Sequence, residues 1–398
     1  MTISAHVFKC EPSSISFSSD DEPEFKNEST RASIAAAAYK LNAAEPVAFP
    51  TETVYGLGAL ALDARAAARI FSTKGRPADN PLIVHVSSQR MLNRLLPSKY
   101  TPSRSYEILM KRFWPGPLTL LFPSDPSIIP PIITANHPTV AIRMPSHPVA
   151  RALIALAGAP IAAPSANSSG KPSPTRAEHV LKDLGGKLDI ILDGGPCDVG
   201  LESTVVDGLG EDGNIRVLRP GGVTVEDIER ALTDELGDGE EVPRVLVHTR
   251  DFQDAAMEAT PTTPGMKYRH YSPSVPVSLL HISTPPPAGK TSSTLSDLFS
   301  SLASSGSIHP VHVGLLTPSD SRILEHAKDV PGIEWLFFPL GTIADPALTA
   351  QRLFDGLLTL EERGADIILV EAISEENEGL AVMNRVKKAA GESKWIQL

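Results

Sequence analysis

From residue 31 to about 235, short apolar runs alternate with stretches whose apolar residues recur every three or four positions. The runs PVAF, PLIVHV, LTLLF, TVAIRM, PIAA, LDIIL, STVVD and IRVLR predict strands, since they are short, rich in Val, Ile and Leu, and bounded by Pro, Gly or Asp. The stretches DARAAARIFSTK, SYEILMKRF, HPVARALIALAG and TRAEHVLKDL predict helices with one apolar face each. Strands and helices in alternation make an α/β domain over residues 31–235, built on a twisted, mixed and largely buried sheet with flanking helices.

The pattern fades between 236 and 275, where PTTPGMKYRHYSP is bracketed by prolines. This segment predicts an ordered linker. Met266, Tyr268 and Tyr271 gain by burial, while Lys267, Arg269 and His270 favour anions or water, a mixture suited to a lid. From 276 to 398 the runs VPVSLLHI, VHVGLLT, EWLFFPL and ADIILVEAI are separated by helices predicted at Thr294–Leu302 and Leu348–Arg363. That spacing predicts a smaller Rossmann-like parallel α/β domain. Its GKT, in STPPPAGKTSSTLS, lacks the first glycine of a phosphate-binding loop and reads as a surface loop. At the other end, EPSSISFSSDDEPEFKNEST carries six acidic side chains against one Lys. Residues 1–30 therefore predict a flexible acidic tail, with order beginning near Ser29 as a helix N-cap.

A chain of 398 residues exceeds one ordinary core, and a hydrophobic fraction of 41% fills two. The net charge of −11 disfavours a binder that grips nucleic acid through a basic surface, so any anion site must be local. Cys10 and Cys197 give neither a disulfide framework nor a CxxC zinc pair, which fits a reducing compartment. No apolar run reaches bilayer length, and a cytoplasmic protein is expected.

Candidate chemistry gathers at the strand ends. STKGRPADNPLIVHV brings Lys74, Arg76, Asn80 and His85 close together in sequence. A turn with Lys and Arg is ordinary, and a lone His in an apolar strand is more often a satisfied core residue than a ligand. PIAAPSANSSGKPSPT supplies hydroxyls and amides just before a helix, where backbone N–H groups favour anions. Arg143 ends the strand TVAIRMP, and GLESTVVDG sets Ser203 beside Thr204. Glu52, in PTETVYGLG, reads as a surface or structural carboxylate before a general base. Singly these segments are unspecific. Together they are cationic, hydroxylic and amidic, suited to phosphates and a small zwitterion.

In order, FPTETVYGLG, KGRPADNPL, TVAIRMP, APSANSSGKPSPT, LESTVVD and VLRPGG resemble the YrdC-like domain of threonylcarbamoyl-AMP synthases. The linker PGMKYRHYSP and the closing GLAVMNRVKKAA resemble the long, two-domain form. The resemblance runs from about residue 40 onward. It implies a nucleotidyltransferase that joins L-threonine, bicarbonate or CO2, and ATP into L-threonylcarbamoyl-adenylate with release of pyrophosphate. The product supplies the threonylcarbamoyladenosine modification of tRNA. By the same resemblance, Lys74 and Arg76 act in catalysis, and Thr53, His85, Arg143, the backbone at Ala163 and Ser203 hold threonine or its carbamate. Arg76, Asn80, Thr139, Ser165, Asn167, Ser173, Arg219 and Tyr271 hold ATP, with Tyr271 reaching over the nucleotide. Mg2+ comes with the triphosphate, with no protein cage and no metal-ligating residues. The implied partners are a downstream threonylcarbamoyl transferase complex and a weak contact with tRNA. Two alternatives stand beside this reading: a carbamoyl-adenylate-forming module, whose family carries paired CxxC motifs that this sequence lacks, and a double-stranded RNA-binding protein.

Overall fold

The computed structural model describes residues 5–19, 21–237, 239–254, 270–282, 285–305, 310–327 and 330–397. It divides into two compact units, Met1–Ser169 with Ser173–Lys267, and Gly170–Pro172 with Tyr268–Leu398.

The first unit is built on an eleven-stranded sheet among the described residues. Its central strands are Val47–Phe49, Gly56–Leu60, Ile161–Ala162, Val84–His85, Thr139–Arg143, Leu118–Pro123, Thr204–Asp207 and Ile215–Arg219, in that spatial order. Parallel and antiparallel pairs mix, as the alternation of strands and helices predicts. Each strand read from the apolar runs is present. The strand Gly56–Leu60 is not apparent from the pattern because two of its five residues are glycines. Gly58 is needed there: a Cβ would stand 2.7 Å from Phe49 Cε1 and 2.8 Å from Ile161 Cγ2.

The acidic N-terminal segment is a correction. His6–Lys9 runs parallel to Ile190–Asp193 at the sheet edge, and Ile15–Ser19 pairs with Glu22–Phe25 as a hairpin. Composition suggested that this segment could not repay its ordering, but the sheet edge already offers partners for its backbone groups. Its few apolar side chains also find neighbours, with Ile15 buried and the Phe17 ring under the Arg151 guanidinium at 4.0 Å. The helix Glu28–Asn42 is capped by Asn27, whose side chain accepts from the Thr30 N–H, rather than by Ser29. The boundary at residue 235 also moves. Val245–Val247 adds a strand parallel to Ile215–Arg219, so the first unit continues past it. Residues 255–269, most of the expected lid, lie outside the described residues.

The second unit carries a wholly parallel six-stranded sheet among the described residues. The spatial order is Ser292–Thr294, Glu392–Gln397, Val277–His281, Ile367–Glu371, Val311–Thr317 and Ile333–Pro339. Helices Leu295–Ser305 and Pro346–Glu362 fall where the periodicity predicts them. Helix Glu378–Ala389 buries Arg385 completely. No helix among the described residues is long and apolar enough to cross a membrane.

Tyr106 ties the first unit together across its core. Its buried hydroxyl donates to the Leu121 carbonyl at 2.8 Å and accepts from the Gly208 N–H at 2.9 Å, while its ring meets Phe122 edge-on at 5.4 Å. Tyr106→Phe keeps the ring and strands both backbone groups. It is expected to lower unfolding free energy by about 1–3 kcal/mol. Urea denaturation checks this, and an unchanged midpoint would mean that the two groups find other partners.

Candidate active site

Lys74 is the last residue of helix Ala64–Lys74, which closes on Gly75 at φ 63°. Only a residue that tolerates the left-handed region turns the chain there without strain. The turn sends Lys74 inward, 4% exposed, where its ammonium donates to the carbonyls of Ser165 and, at 2.5 Å, Asn167. The backbone closes the same junction, with the Ser169 N–H donating to the Lys74 carbonyl at 2.9 Å. Two segments read separately in the sequence are thus one structure. Burial and the Arg76 charge press the Lys74 pKa down, against the fields of Asp183 and Glu202.

Arg76, also buried, donates through Nη2 to the Pro81 carbonyl at 3.0 Å and so shapes the turn that carries Asn80. The Oδ1 of Asn80 and the Oγ1 of Thr139 are buried without a hydrogen-bond partner. Thr139 starts the strand that Arg143 ends. A rise of roughly 3.3 Å per residue puts the two about 13 Å apart, so these predicted site residues are not in one cluster.

Arg143 anchors a second group. It donates through Nη1 to Thr53 Oγ1 at 2.8 Å and through Nε to the Gly116 carbonyl at 3.2 Å. Its Nη2 lies 2.6 Å from Glu52 Oε1, an ion pair between two buried side chains. That contact lacks hydrogen-bond geometry, and both Glu52 oxygens are without a hydrogen-bond partner. His85 lies opposite Arg143 in the parallel pair of strands, with its Nδ1 at 3.2 Å from the Ile83 carbonyl. The Ala163 N–H donates to Ile83, at 3.0 Å.

A third group joins through the neighbouring strand. Ser203 Oγ shares a hydrogen bond of 2.7 Å with Thr119 Oγ1, and Thr119 is the register partner of Arg143. Arg219 donates to the Ser203 carbonyl through Nη2 at 2.9 Å. Ser173 donates to Glu202 Oε1 at 2.6 Å, one residue before Ser203. Tyr271 belongs to the second unit, buried at φ 65° with its ring 5.2 Å from Phe354 and 5.6 Å from the Arg385 guanidinium carbon.

The balance of buried charge defines the site. Lys74, Arg76, Arg143 and Arg219 are each at most 8% exposed, against the buried carboxylates Glu52 and Glu202. Such a surplus of desolvated cations is suited to a polyanion. Three participants were missed in the sequence. Glu52 was set aside as structural, Glu202 was hidden beside Ser203, and Thr119 was passed over, although a lone hydroxyl in the apolar run LTLLF was the available signal.

Residues 40–221 match the Sua5, YciO and YrdC family described as telomere recombination, and residues 223–391 match the threonylcarbamoyl-AMP synthase C-terminal domain. The threonylcarbamoyl-AMP synthase of Schizosaccharomyces pombe is 43% identical over 367 residues, covering 87% of this chain and 85% of its own. That of Pyrococcus abyssi is 44% identical over 345 residues, covering 87% and 90%. The crystal structure of P. abyssi Sua5 complexed with L-threonine matches at a TM-score of 0.75 and 37% identity, covering 99% of this chain and 100% of the other.

Burial, then the Arg143 charge, pushes the His85 pKa down from 6.5 to about 3. The folded value lies below the unfolded one, so the unfolded chain binds the extra proton between them. The stability that neutral His85 contributes is therefore present above about pH 6.5 and is lost as pH falls toward 3. In an NMR titration the ring is expected to stay neutral at pH 5. A midpoint near the ordinary value would contradict the geometry.

Proposed function

The chain belongs to the threonylcarbamoyl-AMP synthase family, long two-domain form, and from that premise we propose how its own residues make L-threonylcarbamoyl-adenylate. The enzyme is a nucleotidyltransferase whose product feeds threonylcarbamoyl modification of tRNA. The observation that carries the residue assignment is the surplus of four buried cations over two buried carboxylates at adjoining strand ends.

Threonine is a zwitterion, and Arg143 with Glu52 is a matching pair. The substrate carboxylate meets the Arg143 guanidinium, and its ammonium meets the unbonded oxygens of Glu52. Thr53, Ser203 and the Ala163 backbone complete the pocket. His85 stays neutral there and orients without carrying charge. The ammonium first releases one proton to solvent; when the resulting amine attacks CO2, a C–N bond forms, one C–O π bond opens onto oxygen, the nitrogen loses a second proton, and the carbamate carries the negative charge. Glu52 accepts that proton. A carbamate oxygen then attacks the α-phosphorus of ATP, the bond from that phosphorus to the bridging oxygen breaks, and pyrophosphate leaves with the electron pair.

Lys74 and Arg76 flank this transfer and offset the charge on the phosphates. Because they are desolvated and already held by backbone carbonyls, little reorganisation accompanies the reaction. Arg219, Ser165, Asn167 and Ser173 line the nucleotide's path, with Asn80 and Thr139 offering unbonded oxygens farther along. Mg2+ enters on the triphosphate. It is held there by phosphate oxygens and water. Two buried, unpaired cysteines accord with a cytoplasmic location, and a transferase complex takes the product onward.

Purified protein is expected to release pyrophosphate only when ATP, bicarbonate and threonine are all present. Arg76→Ala is expected to cut turnover about a hundred- to a thousand-fold, or about 2.7–4 kcal/mol, with the fold intact. Near-normal turnover in this variant would remove Arg76 from the reacting phosphates. Glu52→Gln keeps the shape but accepts no proton, and is expected to lower kcat about 10²- to 10⁴-fold. An unchanged kcat would return Glu52 to a structural role.

A further inference from the structure

In the parallel sheet of the second unit, the connection after Val311–Thr317 leads to the outer strand Ile333–Pro339, while that after Ile367–Glu371 leads the other way, to Glu392–Gln397. Adjacent strands whose connections part at their carboxyl ends leave a crevice between the loops, and open α/β sheets take ligands there. Next to that point, at the carboxyl ends of Val311–Thr317 and Ile333–Pro339, lies a cavity of about 510 Å3 lined by Thr317, Asp320, Ser321, Leu324, Phe337 and Phe338 among others. That volume is within the usual range for a small-molecule site, about 300–1,000 Å3.

The lining specifies the ligand's chemistry. Leu324 and the two phenylalanines give apolar and aromatic wall, and Phe337 is exposed at 38%, unusual for so large an apolar side chain. Hydroxyls and carboxylates occupy the strand end: Thr317 and Ser321 are buried, and Thr317 Oγ1 donates to Glu371 Oε2 in the neighbouring strand. Burial raises the Glu371 carboxyl above its ordinary value, which suits it to exchange hydrogen bonds with hydroxyls. Among the described residues no lysine or arginine lines the cavity, and Arg352 stacks on the Phe338 ring at 4.9 Å. Residues 276–398 carry no glycine-rich turn of the G-x-G-x-x-G kind that would receive a phosphate at this edge.

We propose that this crevice is a second binding site, for a nucleoside without phosphate, its base against Phe337 and Phe338 and its ribose hydroxyls on the Thr317, Asp320 and Ser321 cluster. A phosphate would meet Asp320 and Glu325 with no compensating cation among the described lining residues.

Adenosine is the probe, titrated calorimetrically into the full chain carrying Arg76→Ala, so that any binding through the Arg76 site is weakened. Binding is expected there, to weaken at least tenfold on adding Thr317→Val, which removes one hydroxyl at constant shape. Leu324→Trp, filling the half-buried rim, is expected to do the same, and AMP to bind at least tenfold more weakly than adenosine. Three results overturn the proposal: no binding of adenosine to the Arg76→Ala chain, binding that survives both crevice variants unchanged while they stay folded by circular dichroism, or AMP binding as tightly as adenosine.

Discussion

A buried ammonium holding two backbone carbonyls is the constraint on which the site depends. Lys74 is almost without exposure, and its two acceptors belong to a loop more than ninety residues away in the chain. Removing one member of such a buried set leaves uncompensated groups and typically costs about 3–5 kcal/mol. The helix carrying Lys74 therefore cannot drift from the Ser165–Ser169 loop without exposing or orphaning charge. Gly75 turns the chain at that point, and Arg76 then secures the next turn through the Pro81 carbonyl. Lys74 and Arg76 are thus both held by contacts to main chain.

The same arrangement recurs across the sheet. Arg143 is held by Gly116, Thr53 and Glu52, and Arg219 by Ser203. Both guanidinium groups are buried and donate to backbone carbonyls. This gives the site its surplus of desolvated positive charge inside a chain of net charge −11. A negative surface and a positive pocket are compatible because screening and burial separate them.

Much of this was legible in the sequence. Apolar runs with turn residues between them marked the strands, and the KGRP and SAN segments, unspecific singly, gained meaning only as a set with the other strand ends. The strand Gly56–Leu60 escaped because glycines carry no hydrophobic pattern, and the strand His6–Lys9 because its partners are backbone groups rather than side chains. Thr139 and Arg143 share a strand and stand at its opposite ends. Glu52 was undervalued because a carboxylate alone says nothing about its partner, and the partner lies ninety-one positions on.

The most direct test is hydrogen exchange at the amides of residues 166–169 in Lys74→Met, compared with the parent chain. Met keeps the apolar stem and removes the three N–H donors. The account predicts faster exchange in this segment by at least tenfold, with the strands Leu118–Pro123 and Thr204–Asp207 as protected as before. Unchanged protection of the segment would contradict it, because the ammonium would then hold nothing in place.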